Sequence, residues 1–178
     1  GRPRLLVPVS GHYSWAKSMK LLGLGTAQLV SLEVDSSMRM QVGALRAALE
    51  DARAAGDVVI AVIPILGTTE FGAIDPIDKV MELRAKYREI GFEFGVHLDA
   101  AWGGYLRSLF TTEDGSMRSQ EAVAREFKYF PTPAVHAAFE AVALTDSATV
   151  DPHKLAFIPY PAGAYIARDR NIVDFVQQ

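Results

Sequence analysis

The chain has 178 residues, of which 49% are hydrophobic and 22% are charged. Its 18 basic and 21 acidic residues nearly cancel, which excludes an intrinsically disordered chain and leaves no basic stripe for nucleic acid. No cysteine is present, so disulfides, zinc–thiolate sites and a cysteine nucleophile are excluded, and a length near ~150 residues predicts one globular domain.

Short apolar runs alternate with longer segments of helical periodicity, which is typical of an α/β domain with a mostly parallel sheet. The first half of the chain predicts strands over 5–9, 29–34 and 58–66, a helix over 13–23, and a helix carrying Val42, Leu45, Leu49 and Ala52. The third of these strands is almost entirely apolar, as expected for a strand covered on both faces.

The second half begins with a helix for which Asp75 is the expected N-terminal cap, Pro76 the first residue and Gly91 the stop. Then follow a strand over 94–98, a polar loop over 111–118, helices over 120–129 and 134–144, strands over 148–150 and 162–167, and a final helix over 171–178. No internal repeat or long linker divides the chain.

Polar residues follow four of the predicted strands, at the edge where open α/β sheets bind ligands. They are Ser10-Gly11-His12, Gly67-Thr68-Thr69, Asp99, and Asp151-Pro152-His153-Lys154. Each has an ordinary structural interpretation, such as a helix cap, a turn or a solvated charge. Their convergence on one sheet edge predicts a binding site.

These positions also belong to four ordered motifs. The motifs are His12-Tyr13-Ser14-Trp15-x-Lys17, Gly67-Thr68-Thr69-Glu70-x-Gly72, His97-x-Asp99-Ala100-Ala101-Trp102-Gly103-Gly104, and Asp146-Ser147-x-Thr149-x-Asp151-Pro152-His153-Lys154. Together they resemble the group II pyridoxal-phosphate-dependent amino acid decarboxylases over nearly the whole chain. The segment Ile158-Pro159-Tyr160-x-Ala162-Gly163 most resembles the bacterial L-tyrosine decarboxylase branch.

The resemblance implies the large domain of a fold-type I enzyme, a three-layer α/β/α structure, with pyridoxal 5'-phosphate as cofactor. Lys154 is the implied Schiff-base lysine, and Asp99 the implied partner of the protonated pyridine nitrogen. The imidazole of His12 is expected to stack on one face of the cofactor ring, and Ala101 to pack against the other. Thr68 is expected to bind the ring oxygen of the cofactor or the substrate carboxylate.

Three further residues have roles implied by the resemblance. Ser147 and His153 match positions near the cofactor phosphate, where both can donate hydrogen bonds. Tyr160 matches the tyrosine that protonates the substrate carbon after carbon dioxide leaves. Asp151 stands where many group II enzymes have Asn, and its carboxylate should repel a phosphate unless it is turned away or protonated.

The expected activity is decarboxylation of an L-amino acid, tyrosine-like in its side chain, by a cytoplasmic homodimer without nucleic-acid or membrane partners. Family members are longer, and this chain lacks an initiator Met. Residues 1–178 are therefore expected to be the central portion of the cofactor-binding large domain, without the N-terminal segment and the C-terminal small domain.

Three alternatives remain beside this hypothesis. The chain could be a non-catalytic fragment of such an enzyme, or the parent could catalyse another pyridoxal-phosphate reaction, as sphingosine-phosphate lyases and cysteine desulfurases do. A metal site is the third, because His97 and Asp99 face the same side of their strand and could join His12 or His153. The metal hypothesis leaves the Lys, Thr and Gly positions without a role, so the sequence predicts no metal.

Overall fold

A six-stranded sheet forms the centre of the computed structural model, which describes residues 1–171. The strands are β1 (Pro3–Pro8), β2 (Leu29–Leu32), β3 (Val58–Val62), β4 (Gly95–Asp99), β5 (Ser147–Val150) and β6 (Ala164–Ala167). The helices are α1 (Ser14–Leu21), α2 (Val42–Ala54), α3 (Ile77–Glu89), α4 (Gln120–Glu126) and α5 (Pro133–Ala141). Short 3-10 helices cover Thr26–Gln28, Gly103–Phe110 and Val142–Leu144.

The strand order is β2-β1-β3-β4-β5-β6, with β1 to β5 parallel and β6 antiparallel to β5. This confirms the predicted α/β class with a mostly parallel sheet. The chain runs outward from β1 to β2 and then returns to β3 on the other side of β1. Strand order therefore reverses between β1 and β3, and ligands of open α/β sheets bind beside such a switch point.

The core lies between one face of the sheet and helices α2 to α5. One group of buried side chains joins β1, β3 and β4 to α2 and α3, and a second joins β4 and β5 to α4 and α5. Helix α1 lies over the opposite face, where the Trp15 indole contacts the His97 ring of β4. Helices thus lie on both faces, as the predicted three-layer arrangement requires.

The prediction that strand 58–66 is covered on both faces is wrong for the residues that the structure describes. The strand ends at Val62, and the side chains of Val58 and Ile60 are 59% and 45% exposed. Their neighbour Val59 points the other way and is buried against the helices. Apolar composition therefore predicted the strand correctly and its surroundings incorrectly.

The expected cap of α3 is also wrong. The helix begins at Ile77, Pro76 is the preceding residue, and no side chain caps it. The Asp75 carboxylate instead accepts hydrogen bonds from the N–H groups of Met40 and Ile65, both at 2.7 Å. Asp75 therefore joins the loop before α2 to the segment after β3.

The 3-10 helix over Gly103–Phe110 was not predicted, and the expected helix over 171–178 falls, beyond its first residue, outside the described part of the chain. Within residues 1–171 no helix combines the length and the apolar character needed to cross a bilayer.

Candidate functional site

A cleft of about 350 Å³ opens at the carboxyl ends of the parallel strands, beside the switch point. Its walls bring together Ser10, His12, Ser14, Trp15, Ser18, Ile65, Gly67, Thr68, Thr69, Asp99, Ala101, Trp102, Thr149, Asp151 and Lys154. All four polar clusters predicted from the sequence contribute to this set. The predicted convergence on one sheet edge is confirmed.

Two glycines allow the walls of the cleft to meet. Gly103 N–H donates to the Leu66 carbonyl at 2.8 Å, and a Cβ on residue 103 would overlap that carbonyl. Gly67 has a φ of +89°, and its Cα faces the backbone of Gly103. Because no side chain separates the two segments, Thr68 and Ala101 reach the same cavity.

Asp99 stands at the end of β4, where its carboxylate faces the cleft. Its Oδ2 accepts a hydrogen bond from Trp15 Nε1 at 3.0 Å, and its Oδ1 lies 3.4 Å from the N–H of Ala101. Two donors, one on α1 and one in the turn that follows β4, therefore fix the plane of this carboxylate.

Lys154 lies on the turn after β5, with its side chain 22% exposed. Its Nζ is 2.9 Å from Asp151 Oδ2 and 5.7 Å from the centre of the Trp102 ring. The primary amine is thus held in the cleft by an ion pair on one side and an aromatic face on the other.

His12, Thr68 and Ala101 also line the cleft, as expected. His12 Nδ1 is 2.8 Å from Ser14 Oγ and accepts the Ser14 N–H at 3.3 Å, and these contacts fix the orientation of the ring. Thr68 Oγ1 accepts the Ala73 N–H at 3.0 Å and keeps its own proton for a further acceptor. The Thr68 side chain is buried, so its hydroxyl has a fixed position.

Three predicted site residues are not among those lining the cleft. Ser147 lies at the start of β5 and shares a hydrogen bond of 2.8 Å with His97 Nδ1. His153 Nδ1 bonds to the Ala162 carbonyl, and its ring packs at 3.9 Å from that of Tyr160. The Tyr160 side chain is 77% exposed. Their expected roles at the phosphate and at the substrate carbon stay predictions.

The alternative metal site does not have the expected donor arrangement. His97 and Asp99 do face the same side, since the Trp15 indole contacts both. However, His97 Nδ1 is bonded to Ser147, and Nε2 lies 3.1 Å from Thr149 Oγ1. Burial lowers the pKa of His97 and favours the neutral ring, but both of its nitrogens are engaged by these two hydroxyls. In the described part of the chain, no three His, Asp or Glu side chains cluster as metal ligands would.

Several cleft residues were not assigned a role from the sequence. Trp15 was present in a quoted motif, but its bond to Asp99 spans 84 residues and has no local signal. Ser10, Ser14 and Ser18 add hydroxyl groups to one wall. Ser14 and Ser18 are four residues apart on α1 and therefore lie on the same side of that helix, a spacing that sequence analysis could have used.

The donor set fits pyridoxal phosphate, the expected cofactor. A primary amine at Lys154 suits an aldehyde, and a carboxylate at Asp99 suits a protonated pyridine nitrogen. Ser10 Oγ is buried at the cleft and has no hydrogen-bond partner within residues 1–171. Buried polar atoms without a partner are rare, and a bound group would satisfy this one.

Comparison with known proteins gives concordant results. Residues 2–119 match the pyridoxal-dependent decarboxylase conserved domain. The chain is 37% identical over 180 residues to the L-tyrosine decarboxylase of Levilactobacillus brevis, covering 96% of this chain and 29% of that protein. It is 31% identical to the probable L-tyrosine/L-aspartate decarboxylase of Methanothermobacter thermautotrophicus, covering 97% of this chain and 39% of that protein.

The fold has matches among solved structures. The crystal structure of mouse CSAD superposes with a TM-score of 0.68 at 27% identity, covering 94% of this chain and 30% of that chain. The chain thus spans about three-tenths of that structure and 29–39% of the two curated relatives.

Proposed function

This chain belongs to the pyridoxal-dependent decarboxylase family, and from that membership we propose that the complete protein converts an L-amino acid into the amine and carbon dioxide. The observation that carries the proposal is that the Asp99 carboxylate and the Lys154 amine line one cleft. Residues 1–178 would form the central portion of the cofactor-binding large domain, and the complete protein would act as a homodimer.

Bound pyridoxal phosphate supplies an electron-accepting ring that takes up the electron pair left when the carboxyl group departs. Asp99 keeps a proton on the ring nitrogen, because an adjacent carboxylate favours the charged form of that nitrogen. Trp15 and the Ala101 N–H hold the carboxylate in place while it does so.

Lys154 would attach the cofactor through Nζ. Before the amine can act as a nucleophile it has to lose a proton and separate from Asp151. With cofactor and substrate bound, the Lys154 amine would remain in the cleft, where it could return a proton to the substrate carbon. Tyr160 is the second candidate donor, and its ring contact with His153 gives the segment after Lys154 a defined position.

The remaining cleft residues would orient the reactants. His12 would lie on one face of the cofactor ring and Ala101 on the other, and the free proton of Thr68 Oγ1 would be donated to the ring oxygen or the substrate carboxylate. Ser147 and His153 remain the proposed phosphate contacts.

The proposed substrate is L-tyrosine. The support is the identity with a tyrosine decarboxylase, together with the segment that contains Tyr160. One relative carries tyrosine and aspartate in its name, so an acidic substrate is the competing choice.

The test is carbon dioxide release by the complete protein loaded with pyridoxal phosphate. We expect release from tyrosine to exceed that from dihydroxyphenylalanine, glutamate and aspartate. If the cofactor attaches at Lys154 but none of these amino acids releases carbon dioxide, the result would favour a protein that binds the cofactor without catalysing decarboxylation. Preferential release from aspartate or glutamate would refute the aromatic assignment.

A further inference from the structure

The bond between Trp15 and Asp99 joins two parts of the sheet that lie on either side of β3. Trp15 is on α1, directly after β1, whereas Asp99 ends β4. The indole Nε1–H donates to Asp99 Oδ2 at 3.0 Å. An N–H donor to a carboxylate forms one of the stronger protein hydrogen bonds.

The indole is itself held in place by His97. Its ring meets the His97 ring edge-on, with centroids 5.7 Å apart and planes at 67°. His97 cannot rotate freely, because Ser147 and Thr149 of β5 bond to its two nitrogens at 2.8 and 3.1 Å. A chain of contacts thus runs from β5 through His97 and Trp15 to Asp99.

This chain of contacts affects how the Asp99 carboxylate would meet the ring nitrogen of the cofactor. A carboxylate on a short side chain can rotate about χ2, and one that rotates loses alignment with a planar partner. The donor on Oδ2 fixes that rotation, and Oδ1 lies 3.4 Å from the backbone nitrogen of Ala101. Lys154 and Asp151 are the charged groups that share the cleft with Asp99.

We propose that Trp15 is a positioning residue that acts through Asp99 and holds its carboxylate aimed at the ring nitrogen of the cofactor. The inference rests on the proposed function, since it requires that pyridoxal phosphate binds in this cleft. Trp15 takes no part in the bond changes. Its indole N–H, rather than the bulk of its ring, is the group that matters.

The test compares two ligands of the complete protein, pyridoxal phosphate and its 1-deaza analogue, in which C–H replaces the ring nitrogen. Trp15→Phe keeps a six-membered aromatic ring and removes the N–H donor. We expect it to raise the dissociation constant of pyridoxal phosphate about tenfold and that of the analogue less than about twofold. Trp102→Phe is the matched control, and any loss it causes should be equal for the two ligands.

A second measurement needs no cofactor. The indole N–H resonance of Trp15, assigned by its disappearance in Trp15→Phe, should shift when Asp99 is changed to Asn in the cofactor-free protein. Equal losses for both ligands, or an unmoved resonance, would overturn the inference alone. Failure of the wild-type protein to bind pyridoxal phosphate would overturn the proposed function and this inference with it.

Discussion

Asp151 Oδ2 lies 2.9 Å from Lys154 Nζ, three residues along the same turn. From the sequence, this carboxylate is expected to repel the cofactor phosphate unless it is turned away or protonated. In the structure it forms an ion pair with the lysine. Asp151 is thereby paired with the amine that has to become a nucleophile.

Replacing Asp151 with Asn should therefore let the Lys154 amine react more readily with the cofactor aldehyde. An ion pair of side chains that are 18% and 22% exposed is worth about 0.5–1 kcal/mol, so the rate of cofactor attachment should rise about two- to fivefold. Stopped-flow absorbance with pyridoxal phosphate measures this rate.

A control variant and a second aldehyde show which interaction causes the change in rate. Asp78→Asn is the matched control, because it removes a carboxylate 3.4 Å from Lys79 on α3, outside the cleft. Unphosphorylated pyridoxal separates the two possible causes. A gain with both aldehydes indicates release of Lys154, whereas a gain with the phosphate ester alone indicates relief of repulsion. Unchanged rates would contradict the importance of the ion pair.

Asp99→Asn should separate attachment of the cofactor from catalysis. The amide keeps the shape of the carboxylate but cannot hold a positive charge on the ring nitrogen. We expect the borohydride-stable mass increase at Lys154 to persist while carbon dioxide release falls about a hundredfold or more. Mass spectrometry and a carbon dioxide assay on the same preparation measure both. Full activity in this variant would show that Asp99 has no such role.

Asp75 gives a pH dependence of stability. Burial raises the pKa of its carboxyl to about 6, against the N–H donors of Met40 and Ile65, which lower it. A raised pKa means that the folded state holds the proton more tightly than the unfolded state. The stability this supplies is complete below pH ~3.8 and is lost as pH rises through about 6.

Asp75→Asn removes that titration. It also leaves one of two buried N–H groups facing an amide N–H₂, which costs about 1–3 kcal/mol. The difference in unfolding free energy between wild type and variant should thus be larger at pH 4.5 than at pH 7. Urea denaturation at the two pH values measures it. A difference that grows toward pH 7 would contradict the raised pKa.

Local patterns predicted most of the fold because helices and strands have their own periodicity. The apolar positions Val42, Leu45, Leu49 and Ala52 all fall within α2, which spans Val42–Ala54. The sequence also predicted Asp99 at the end of a strand, because a polar residue follows an apolar run at that point. Strand direction is not encoded in this way, so the antiparallel β6 was not predicted.

The contacts that complete the site depend on topology. Trp15 and Asp99 meet only because β1 and β4 flank β3, and nothing near either residue predicts their bond. Asp75 had the sequence pattern of a helix cap, yet two buried N–H groups from distant segments bind its carboxylate instead. Long-range hydrogen bonds of buried groups outweighed the local pattern.

The central claim is that Lys154 carries the cofactor, and one measurement tests it most directly. The complete protein is incubated with pyridoxal phosphate, reduced with borohydride, digested and analysed by mass spectrometry, with Lys154→Ala treated identically. We predict a pyridoxyl-phosphate mass increase on the peptide containing Lys154, and loss of both this adduct and the near-visible absorbance in the variant. An unmodified Lys154 peptide, or an unchanged spectrum in Lys154→Ala, would contradict the claim.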